Sequence, residues 1–159
     1  METPGEIIAA DFKSFKEDLP ISGGWGYSEE DTVVIDKNDA VAAKGTPFDV
    51  IGTERIFVEK RILEELTLFR PENDRFSNIE WKLAKQELRS DFYTGRKFDI
   101  LLFDVTAIPD ADWEQLQSEW RSNNGFQESQ SAFDGHIKKR NSKTVHYQAE
   151  YWFDITSCF

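Results

Sequence analysis

Two histidines, one cysteine and 30 carboxylates are the side chains in this sequence best suited to catalysis or metal binding. His136, His146 and Cys158 are too few for the usual zinc sets, and no Cys-x-x-Cys or His-x-x-x-His spacing occurs. Asp36-Lys37-Asn38-Asp39 opens like a calcium loop, but Val41 stands where glycine is required and Pro47 where the bidentate glutamate belongs. No metal site and no cofactor are expected. Nucleophilic catalysis lacks a Gly-x-Ser-x-Gly turn, and neither histidine has an evident orienting partner. A relay from His146 to Glu150 or Asp154 can be drawn, yet a solvated strand face accounts for the same residues. Glu150 and Asp154 share one face of a strand, with α-carbons roughly 13–14 Å apart. Glycosidase carboxyls stand about 5–9.5 Å apart, so these two do not form such a pair. No catalytic residue is assigned.

The stretch Ser22-Gly23-Gly24-Trp25-Gly26-Tyr27-Ser28-Glu29-Glu30-Asp31 raises a phosphate cradle as an alternative. It has no Gly-x-Gly-x-x-Gly and no Gly-Lys-Ser/Thr, and it leads into a strand where phosphate loops lead into a helix. Its three acids would also repel an anion. A glycine corner displaying Trp25 and Tyr27 beside Glu29, Glu30 and Asp31 is the better reading. A second combination of this kind is Trp152, between Glu150 and Asp154 on the outward face of the last strand. Aromatic anchors with carboxylate rims suit a protein interface, and these eight residues are the candidate partner-binding set.

These residues need elements to hold them. Thr3-Pro4-Gly5-Glu6 starts a helix whose stripe is Ile8, Phe12, Phe15 and Leu19. Thr32–Asp36 reads as a short strand and Pro47–Ile51 as another. From about Thr53 a helix carries Val58, Ile62, Leu66 and Phe69 on one face, with Glu59, Lys60, Glu64 and Glu65 on the other, and ends at Arg70-Pro71. Residues 79–92 fit either a strand or a helix, and the Thr94-Gly95 corner favours a hairpin. Lys97–Ala107 is a strand buried on both faces. Pro109 opens a helix with the stripe Trp113, Leu116 and Trp120, closed by Asn123-Asn124-Gly125. Residues 127–143 read as a polar, mobile loop ending in Lys138, Lys139, Arg140 and Lys143. Thr144–Thr156 alternates as a strand, with Tyr147, Tyr151 and Phe153 toward the core. The order predicts one α+β domain over residues 1–159, a mostly antiparallel sheet of four to five strands with about three helices on one face.

Net charge is −11, and residues 1–54 alone hold 12 acidic and 4 basic side chains. Such a field repels nucleic acid and anionic membrane and attracts a basic protein. No apolar run reaches the roughly 18 residues of a membrane span. The start of the sequence has no signal-peptide pattern, and a lone cysteine suits a reducing cytoplasm. In size, acidity, aromatic content of 14% and α+β character, the whole chain resembles immunity proteins of bacterial polymorphic and contact-dependent toxin systems. That resemblance implies a cytoplasmic inhibitor that blocks a cognate, basic toxin by occlusion and without chemistry of its own. It assigns no residue. Two alternatives stay open: a small enzyme or ligand-binding domain using carboxylates and His146, and a structural subunit of a phage or secretion apparatus.

Overall fold

The computed structural model describes residues 19–38 and 49–159. The expected first helix, from Thr3 to Leu19, lies outside the described residues apart from Leu19. So do Asp39 and the Pro47-Phe48 start of the expected second strand. Five strands and three helices are described. In chain order they are β1 (Ile21–Gly23), β2 (Val33–Ile35), α1 (Val50–Leu66), β3 (Phe76–Ser90), β4 (Lys97–Pro109), α2 (Asp110–Ser122), α3 (Gln130–Lys143) and β5 (Val145–Asp154).

The fold is α+β, and its five-stranded sheet has the order β1-β2-β5-β4-β3. The sheet is mixed. β1 runs antiparallel to β2, but β2 pairs in parallel with β5, Val33 opposite Phe153 and Val34 opposite Asp154. β3 and β4 are joined by a connection of only six residues, which is too short for a parallel crossover. β4 meets β5 through Ile155 N–H to Lys97 O at 2.9 Å and Gln148 Nε2 to Asp104 Oδ1 at 2.9 Å, so the two run oppositely. Residues 79–90 are strand, and β4 is interior, as its two-sided apolar pattern requires.

Four expectations are corrected. Residues 130–143 form α3 where a loop was expected; Ser129 caps it by accepting the Ala132 N–H at 3.2 Å. Val50 and Ile51 belong to α1 and not to a strand. Asp49 starts that helix, accepting from Gly52 N–H on its side chain and from Thr53 N–H on its carbonyl. α1 stops at Leu66, so Phe69 falls beyond the apolar stripe and is exposed. Glu64, expected on the polar face, is buried, with Arg61 Nη1 4.0 Å from its carboxylate.

Packing divides the described chain into two compact units. The first comprises residues 19–38, 49–60, 83–103 and 149–159. Phe57 lies edge-on to Phe153 at 5.6 Å and to Tyr151 at 6.3 Å, and Val33, Ile35, Leu101 and Phe103 are buried in the same unit. The second comprises residues 61–82 and 104–148, burying Ile62, Leu66, Val105, Ile108 and Leu116.

Candidate functional site

The glycine-rich stretch is a tight, internally bonded loop between β1 and β2. Gly24 N–H donates to Thr32 O at 2.8 Å, Gly26 N–H to Asp31 O at 2.6 Å, and Trp25 N–H to Asp31 Oδ1 at 3.0 Å. The Gly24 backbone runs so close to Asp31 that a Cβ there would overlap the carboxylate and carbonyl oxygens of Asp31. Gly26 adopts φ +88, and a Cβ on it would lie 3.1 Å from Val33 Cγ2. Its carbonyl accepts the Trp152 N–H at 2.7 Å. That bond fastens the loop to β5. Gly26→Ala should therefore cost about 1–2 kcal/mol, the penalty of the left-handed region plus crowding. Urea unfolding measures it, and an unchanged midpoint would contradict this account of the loop.

The same bond brings the two candidate patches together, Trp25 to Asp31 on one side and Glu150 to Asp154 on the other. Tyr27, Glu29, Glu30 and Glu150 are exposed, while Trp25 and Trp152 are half-buried. Trp152 packs edge-on against Phe98 at 5.8 Å, and its Nε1–H donates to Glu150 Oε1 at 2.7 Å. The Arg89 guanidinium sits 5.1 Å from the centre of its ring. Asp31 is tied into the loop as described. Asp154 is buried, accepting from Arg96 Nε at 3.1 Å and from the Thr156 N–H at 3.0 Å. The exposed acidic rim is thus Glu29, Glu30 and Glu150, and Asp31 and Asp154 shape it from within. Arg89 and Arg96 add basic groups that residue spacing alone did not place there.

A carboxyl pair lies in the interior of this unit. Glu54 on α1 is 2% exposed and Asp99 on β4 is 3% exposed. Burial, then the charge of Asp99 and a hydrogen bond to it, push Glu54 up to about 9 against only a small opposing pull from Arg55. Glu54 therefore keeps its proton at neutral pH, stabilised by the neighbouring Asp99. Gln86 Nε2 donates to Asp99 Oδ2 at 2.7 Å. With so little surface, neither carboxyl reaches a dissolved substrate. His146 is exposed and belongs to the second unit.

No family model, curated protein or solved structure matches this chain. Among the described residues no three ligating side chains converge on a metal-sized site, and no helix is long and apolar enough to cross a membrane.

One exposed aromatic pair escaped the sequence reading. Phe92 and Tyr93 cap the β3–β4 hairpin in the first unit, 94% and 96% exposed, their rings edge to face at 6.0 Å. Asp91 fixes the turn by accepting from the Tyr93 and Thr94 N–H groups, and those bonds hold its carboxyl below its usual range. The turn signal Asp-Phe-Tyr-Thr-Gly was available, but turn residues carry no sign of how far a hairpin extends.

Proposed function

We propose that the chain is an acidic binding protein that inhibits a basic protein partner by covering its working surface, as a cytoplasmic bacterial immunity protein covers its toxin. The observation that carries this reading is the Gly26 O to Trp152 N–H bond. It joins the backbones of two aromatic, acid-rimmed segments that are far apart in sequence, which supports their acting as one surface. Glu29, Glu30 and Glu150 supply long-range attraction, and Tyr27 and Trp152 supply the anchors. The burial of the Glu54–Asp99 pair supports binding over carboxylate catalysis, because a general acid must touch its substrate.

The test begins with capture from the native host at low salt, using the natural chain and an E29K/E30K/E150K variant side by side. A basic protein held by the first and released by the second is expected. Its association rate should fall about tenfold or more between low and high salt. Co-expression should then relieve whatever activity or toxicity the captured protein shows. Equal capture by the variant, or salt-independent association, would reject electrostatic recognition by this face.

A further inference from the structure

The second unit holds a cavity of about 440 Å³ between α2 and α3, within the size range of small-molecule sites. Trp113, Trp120 and Phe133 wall it, with Trp120 and Phe133 rings 6.0 Å apart. His136 lines it too, its side chain only 6% exposed, 5.4 Å from the Trp120 ring. Its Nδ1 is buried and hydrogen-bonded to nothing among the described residues; the nearest acid oxygen, Glu119 Oε2, is 3.9 Å away. A buried ring nitrogen without a partner is costly unless a ligand or water completes it.

The charges around the cavity are sorted unequally. Lys139 holds Glu119 at 2.5 Å, and Lys143 lies 3.7 Å from Asp112. Glu119 and Asp112 thus have lysine partners, but the arginines of the cavity lining meet no carboxylate among the described residues. Arg121 meets only Gln117 Oε1, at 3.5 Å, and Arg140 lies over the Trp113 ring at 5.5 Å. Two guanidinium groups that meet no carboxylate among the described residues therefore stand beside one aromatic cavity and can meet an anion there. Guanidinium groups recognise a carboxylate with a two-pronged, planar fork.

We propose that this cavity binds a small, planar aromatic carboxylate. The ring lies in the cavity against Trp113, Trp120 and Phe133, the carboxylate is held by Arg121 and Arg140, and a polar ring atom of the ligand faces His136. This site is independent of the acidic face and needs no protein partner.

Titration calorimetry with indole-3-acetate and its neutral twin, indole-3-acetamide, tests it on the full chain. The acid should bind about tenfold or more tightly than the amide. An R121A/R140A variant should lose about that factor for the acid while leaving the amide unchanged. R140K, which keeps the charge but not the fork, should fall between the two. Both arginines lie on helix surfaces, and matching thermal melts will show that the variants fold. Equal affinity for acid and amide, no effect of the arginine substitutions, or no heat up to ~10 mM of the acid would each overturn the proposal.

Discussion

Replacing Glu54 by glutamine should abolish a steady loss of stability that the natural chain undergoes as pH rises. A free glutamate titrates near 4.5, whereas Glu54 in the folded chain titrates at about 9. Below the lower value both states carry the proton, and the pair's contribution is fully present. Between the two values the folded state binds a proton that the unfolded state has released, so folding weakens by about 1.4 kcal/mol per pH unit. Above the upper value both states are ionised and the contribution is gone. From about pH 6 to pH 8.5 the loss is about 3 kcal/mol, a large share of the ~5–15 kcal/mol that holds a domain folded. Glutamine has nearly the same shape and still donates to Asp99, but it has no proton to lose. The advantage of E54Q over the natural chain should widen by about 3 kcal/mol from the lower of these pH values to the higher one. Urea unfolding at both pH values measures this. The same slope in both proteins would assign the effect to another group and overturn the raised titration of Glu54.

The second large effect is expected at Phe57. Its ring is fully buried and meets Tyr151 and Phe153 edge-on, at 84° and 85° between planes. Phe57→Ala removes those contacts and leaves a hole that short strands cannot close, at a cost of about 3–5 kcal/mol. The melting temperature should drop by roughly 10 °C. The damage should also reach function, because Trp152 stands between Tyr151 and Phe153 on the opposite side of β5. Loosening its neighbours loosens the Gly26 bond as well. Phe92→Ser, at the exposed hairpin tip, should leave the melting temperature unchanged. A loss below about 1 kcal/mol for F57A would contradict the packing described.

How legible these features were depended on whether the burying residues were apolar. β4 and β5 alternate visibly because Phe98, Ile100, Leu101, Phe103, Tyr151 and Phe153 are all apolar or aromatic. α3 hid because its inward stripe is Phe133, His136, Ile137 and Arg140, at helical spacing but half polar. A search for spacing regardless of polarity would have found it. The same blindness concealed Glu54 and Arg61, which fill buried positions of α1 beside Phe57 and Ile62. The eight candidate contact residues were legible as two local groups, but the backbone bond that joins those groups was not. It depends on the parallel pairing of β2 with β5, which no local pattern encodes. Nor did spacing reveal that Asp31 and Asp154 turn inward.

That pairing has a consequence for the newly made chain. Val33 waits for Phe153, and Gly26 for Trp152, across some 120 residues of intervening polypeptide. At ribosomal speeds of about 5–20 residues per second, the loop spends many seconds outside the exit tunnel before its strand exists. During that interval the glycine segment has no sheet to join, and contacts so distant in sequence are slow to form afterwards. The acidic face is therefore a late product of biogenesis. A ribosome stalled before Trp152 emerges, or a protease that removes β5, leaves the Trp25 loop without its platform, whatever remains of the rest of the fold.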